Sequence, residues 1–104
     1  MLFRSAQRAR YARRCAEALD QLARSADAAG DTQASIGWKR RAQEIDPLDA
    51  GTALSHADAL LRSGDRPSAL RALRFHAERV REELAVEPDA SVRALETRLA
   101  KEGV

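Results

Sequence analysis

The stretches AAGDTQAS (residues 28–35) and RSGDRPSA (residues 62–69) decide the fold of this chain. The Gly-Asp pair at positions 30–31 recurs 34 residues later, at positions 64–65. Glycine ends a helix well because it adopts the left-handed conformation, and aspartate caps the start of the next helix. Each pair therefore predicts a tight corner between two helices, and a period of 34 residues is typical of tetratricopeptide hairpins.

Composition and periodicity around the two corners also favour helices. The 104 residues include only three prolines and five glycines, and alanine, leucine, arginine and glutamate, all good helix formers, dominate. A single domain over residues 1–104 is expected. We predict an all-α fold, tetratricopeptide-like, of two helical hairpins plus a C-terminal closing helix. The first predicted helix begins at about residue 2 or 6 and ends at residue 29. The others cover about residues 32–45, 49–62 and 66–84, and a segment after Pro88-Asp89.

Apolar residues three or four positions apart predict the buried face of each helix. For the first helix these are Tyr11, Cys15, Leu19, Leu22 and Ala26. For the later helices they are Leu54, Ala57 and Leu61, then Ala69, Leu70, Leu73, Ala77, Val80 and Leu84, then Val92, Leu95 and Leu99. The repeat is degenerate, since Lys39 stands where a tetratricopeptide usually has an aromatic residue.

The N-terminal segment is strongly basic, although the net charge of the whole chain is only +2. Residues 1–15 contain no acid, so their charge is +5 and that of the remaining chain is −3. This candidate basic surface can contact phosphate or an acidic partner, or it can be a solvated helix face or a junction with an upstream domain. Its members are Arg4, Arg8, Arg10, Arg13 and Arg14.

The sequence lacks the parts of an enzyme or a metal site. Cys15 is the one cysteine and falls on an apolar stripe, which favours a buried thiol over a nucleophile. His56 and His76 lack a third ligand and are expected to be core or boundary residues, and Trp38 is expected to be a packing anchor. No Gly-rich phosphate loop, signal peptide or membrane-length apolar run is present. We predict a cytoplasmic protein with no catalytic activity, no cofactor and no metal.

The segment GDRPSALRALRFHAERVREELAVEPDASVRALETRL (residues 64–99) resembles the helical domain of bacterial transcriptional activators of the Streptomyces antibiotic regulatory protein type. The shared features are the Gly-Asp turn, the Ala-Leu helix, the arginine-rich stretch that ends in Glu-Leu (residues 81–84), the Val-Glu-Pro connector (residues 86–88) and a short last helix. The likeness extends over about residues 8–101. This chain departs from the family at Ala85, where glycine is usual, and in DASV (residues 89–92), at the start of the last helix.

The resemblance implies a regulatory module that follows a winged-helix DNA-binding domain and mediates oligomerisation or contacts with partner proteins. No winged helix fits in these 104 residues, so we expect a fragment of a larger regulator or a divergent stand-alone relative. We therefore expect DNA to be bound through another domain, with a protein partner or self-association here and neither a membrane nor a small-molecule substrate.

The likeness to tetratricopeptides also implies a protein-binding groove along the first helix of each hairpin. Its acids outnumber its arginines four to two, which favours a basic or amphipathic peptide, although all these positions can also be ordinary solvated ones. The candidate residues are Glu17, Asp20, Arg24, Asp27, Leu54, Asp58, Leu61 and Arg62.

Three functions are compatible with these features. The first is a module for protein–protein interaction in transcription regulation. The second is a scaffold or signal-transduction repeat fused to a kinase or nucleotide-binding ATPase. The third is a small self-associating structural protein. A neighbouring winged helix favours the first, and a neighbouring kinase or ATPase favours the second. A concentration-dependent oligomer of this chain alone favours the third.

Overall fold

The computed structural model describes the backbone of residues 2–102 and the side chains of residues 6–102. Within this part the chain forms five helices and no strand. They are α1 (Leu2–Ala28), α2 (Thr32–Ile45), α3 (Ala50–Arg62), α4 (Arg66–Leu84) and α5 (Ala90–Glu102). The predicted all-α class is confirmed, and the predicted ends of the first four helices lie within a residue of the observed ones.

The two Gly-Asp corners have the predicted geometry. Gly30 and Gly64 have φ values of 75° and 87°. The carboxylates of Asp31 and Asp65 accept hydrogen bonds from backbone N–H groups three residues later, each at 3.1 Å. Hydrogen bonds from the side chain and backbone of Ser68 lower the pKa of Asp65. This cap is therefore complete above the usual pKa of an aspartate and weakens as the pH falls through the lowered value.

The chain divides between Asp46 and Pro47 into two compact units. In the first unit α1 packs on α2. Ala23 of α1 is completely buried, and Ser35 and Ala42 of α2 are also buried. These small side chains allow the two helix backbones to approach closely.

The predicted buried face of α1 was partly wrong. Tyr11 is 72% exposed and Leu22 is 44% exposed. The least exposed residues of α1 instead follow a stripe centred on Ala23. Tyr11 and Leu22 lie to one side of this stripe, at about 100° of rotation per residue. The stripe consists of Ala12, Cys15, Ala16, Leu19, Ala23 and Ala26.

In the second unit α3 packs on α4, and α4 packs on α5. The core is made of alanines from α3 and α4 around Leu73, which is completely buried, and Val92 and Leu99 of α5 are buried as well. Leu84 was predicted to belong to this face, but it is 52% exposed. It is the last residue of α4, where the chain turns away, so its side chain extends past the core.

The connection between α4 and α5 depends on Ala85, whose φ of 55° is in the left-handed region. Its N–H donates to the carbonyl oxygen of Arg81 at 3.1 Å, which closes the helix. The guanidinium of Arg81 donates to the Glu87 carboxylate at 3.1 Å and lowers the pKa of that carboxyl group. Pro88, which follows, is buried.

We expect Ala85→Gly to raise the free energy of unfolding by about 1 kcal/mol, because an alanine side chain is strained at positive φ and glycine is not. Urea unfolding followed by circular dichroism measures this change. Ala94→Gly is the control, since Ala94 is an exposed residue inside α5 and glycine there should destabilise by about 1 kcal/mol. Destabilisation by both substitutions would contradict the assignment of strain to Ala85.

Candidate functional site

The α1 part of the predicted groove is exposed. Glu17, Asp20, Arg24 and Asp27 all face solvent. Asp20 and Arg24, one turn apart, form an ion pair with 2.9 Å between Oδ2 and Nε. Since their side chains are 49% and 79% exposed, this pair contributes little to stability and stays available to a partner.

Asp27 has a structural role that the sequence did not reveal. Its carboxylate lies 3.5 Å from the ammonium group of Lys39 on α2. The Lys39 side chain is only 10% exposed, so its aliphatic stem fills the place where a tetratricopeptide usually has an aromatic residue. The signal in the sequence was this lysine at a core position, with an acid on the facing helix. Asp27 therefore helps to hold α1 against α2.

The α3 part of the predicted groove combines apolar and charged residues. Leu54 and Leu61 are half-buried, whereas Asp58 and Arg62 are exposed. The spacing of these four residues places them on one side of the helix. Asp58 and Arg62 form an ion pair with 2.6 Å between Oδ2 and Nη2. Leu54 and Leu61 lie four and three residues from Asp58, so both are neighbours of this pair on the helix surface.

Ion pairs reduce the negative charge that the count of groove acids and arginines predicts. The pairs of Asp20 with Arg24 and of Asp58 with Arg62 are each neutral, and Lys39 neutralises Asp27. Among the described groove acids, only Glu17 then forms no ion pair. The predicted groove residues together with Lys39 are therefore less acidic than the count of four acids and two arginines predicted.

The N-terminal basic surface is exposed as far as the structure describes it. Arg8, Arg10, Arg13 and Arg14 face solvent, and none of the four forms an ion pair with any of the described side chains. The side chain of Arg4 lies outside the described residues.

An open depression on α2 was not predicted. It has a volume of about 410 Å³ and includes Trp38, which is half-buried, and Gly37, where a Cβ atom would meet no neighbour within 4 Å. Trp38, expected as a packing anchor, thus also forms part of a surface feature. A glycine beside a tryptophan inside a helix was the signal available in the sequence. The lining residues are Ala34, Gly37, Trp38, Arg40, Arg41 and Glu44.

Both histidines lie in the second unit. His56 and His76 are both buried, and Nδ1 of His76 lies 2.9 Å from the carbonyl oxygen of Pro47. Cys15 is a half-buried free thiol. Across the described residues, no group of three or more histidine, cysteine or acidic side chains is arranged to hold a metal ion. None of the described helices combines the length and the apolar character needed to cross a membrane.

One family comparison gives a result. The family model described as the bacterial transcriptional activator domain matches residues 2–100, nearly the whole chain. Neither the curated proteins nor the solved structures contain a match.

Proposed function

The chain belongs to the bacterial transcriptional activator domain family, and on this premise we propose that it is a non-catalytic interaction module of a transcription regulator. Through this module the regulator oligomerises or binds a partner protein, while another domain binds DNA. Family membership favours this function over a scaffold fused to a kinase or ATPase and over a structural protein. The family is a regulatory one and is not known for catalysis.

The main support for this proposal comes from the half-buried leucines of α3. Leu54 and Leu61 lie beside the ion pair of Asp58 and Arg62 on one side of the helix. Protein interfaces typically combine apolar contacts with a polar rim, and this surface has both. In the other unit, Asp20 and Arg24 supply a similar exposed pair on α1.

Exchanging the charges within the two pairs tests the role of each pair in binding. The variant carries Asp20→Arg, Arg24→Asp, Asp58→Arg and Arg62→Asp, so each pair persists with its charges reversed. We expect it to remain folded, because exposed ion pairs contribute only about 0.2–1 kcal/mol each. In the native host, RNA sequencing should show the loss of regulation that deletion of the whole segment causes, because complementary charges across the interface become like charges.

The control exchanges the matching pair on α4, with Arg79→Glu and Glu83→Arg, whose members are also partly exposed and lie four residues apart. It should keep normal regulation, and immunoblots should show equal amounts of all proteins. Deletion without any effect on transcripts would reject a role in transcription. Normal regulation by the four-residue variant, with loss on deletion, would reject both pairs as interface contacts.

A further inference from the structure

We infer that the exposed arginines at the start of α1 bind the phosphate backbone of duplex DNA without reading its sequence. The arginines that matter are Arg10, Arg13 and Arg14, which we call the arginine face. This inference goes beyond the proposed function and does not rest on it, because its ligand is the phosphate of DNA and not a protein partner.

Most of the arginine face lies opposite the packed side of its helix. At about 100° per residue, Arg10 and Arg14 fall on the side of α1 that faces away from the stripe centred on Ala23, and Arg13 lies between that side and the stripe. All three side chains are exposed. Their guanidinium groups therefore project together into solvent, within little more than one turn of helix.

Many arginines of this chain form ion pairs along their own helix, but the arginine face does not. Five described arginines pair with an acid four residues away, whereas the arginine face, like Arg41, Arg74 and Arg93, forms no ion pair among the described side chains. Like charges three and four residues apart destabilise a helix, so this cluster has a cost that an ordinary solvated face avoids. The five pairs are Arg24–Asp20, Arg40–Glu44, Arg62–Asp58, Arg79–Glu83 and Arg98–Glu102.

The density of positive charge on the arginine face favours duplex DNA as its partner. Duplex DNA has about one negative charge per 1.7 Å of its axis, a dense array that matches three guanidinium groups on one face. Arginine binds phosphate oxygens well because its planar fork donates several hydrogen bonds. Tyr11 is the one aromatic residue in the described part of this segment, which provides poorly for base stacking. The contact is therefore to phosphates, and DNA sequence is read elsewhere in the regulator.

Fluorescence anisotropy of the chain with a labelled duplex of arbitrary sequence, at several salt concentrations, tests the inference. Replacing the arginine face with Arg10→Gln, Arg13→Gln and Arg14→Gln keeps residues of good helix propensity. We expect this variant to bind at least about tenfold more weakly at low salt. The slope of log K against log salt should fall by about 2–3, since each lost phosphate contact removes about 0.9.

The matched control removes the same charge from paired positions, with Arg40→Gln, Arg79→Gln and Arg98→Gln, and should change the affinity less than twofold. Equal losses in both variants would mean that only net charge matters and would overturn the inference. A parallel titration with polyglutamate, which represents an acidic protein, tests whether the arginine face binds proteins instead of DNA. If the arginine-face variant lost affinity for polyglutamate but not for DNA, the inference would also be overturned. Circular dichroism verifies that all variants are equally helical.

Discussion

Leu73→Ala is expected to lower the free energy of unfolding by about 2.5–4 kcal/mol. Leu73 is completely buried and is one of the largest fully buried side chains of the described residues. Truncation removes its transfer free energy and leaves a cavity in the core. A domain of this size has only about 5–15 kcal/mol of stability, so the substitution removes a large part of it. Urea unfolding followed by circular dichroism measures the loss.

Leu84→Ala is the matched control, because it makes the same chemical change in the same helix. Leu84 is 52% exposed at the end of α4, so we expect a loss within about 0.5 kcal/mol. The helical signal of the folded state should be the same for both variants. Equal losses would contradict the assignment of Leu73 to the core and of Leu84 to the surface.

The helices of this protein were predictable because local signals mark their ends. Each Gly-Asp pair fixes one corner through the φ of the glycine and the cap of the aspartate, and these depend on a few neighbouring residues. Pro47 ends α2 in the same local way, since proline disfavours helix in the residue before it. Element boundaries of this kind need no knowledge of the tertiary fold.

The buried faces were less predictable, because burial depends on the neighbouring helix. Tyr11 and Leu22 continue an apolar pattern along α1, yet the packed stripe is centred on Ala23, a residue that hydrophobicity alone does not single out. Periodicity places Leu84 on the core side of α4, but it cannot reveal that the core ends before the helix does. In such cases the size and length of the neighbouring helix decide which residues are buried.

The candidate site shows the same limit. Asp58 and Arg62 were counted as separate charges, although their spacing of four residues is typical of the ion pair that they form. The pair of Asp27 with Lys39 joins two helices and depends on how α1 and α2 pack, which local spacing does not specify. Counting charges therefore overestimated the acidity of the surface.

His76 is expected to be a second large contributor to stability, because it joins α4 to the segment that begins the second unit. Its Nδ1 lies 2.9 Å from the carbonyl oxygen of Pro47, so the ring N–H donates to that oxygen within the core. We expect His76→Ala to lower the free energy of unfolding by about 2–4 kcal/mol. The substitution creates a cavity and also leaves a carbonyl without its donor.

A second substitution separates these two causes. His76→Leu keeps most of the buried volume but removes the donor, so it should cost about 1–2 kcal/mol, less than His76→Ala. Urea unfolding of both variants beside the wild type gives the two values. If His76→Leu were as stable as the wild type, the hydrogen bond to Pro47 would make no net contribution, and only packing would explain the histidine. If both variants lost the same amount, the hydrogen bond would account for the whole effect.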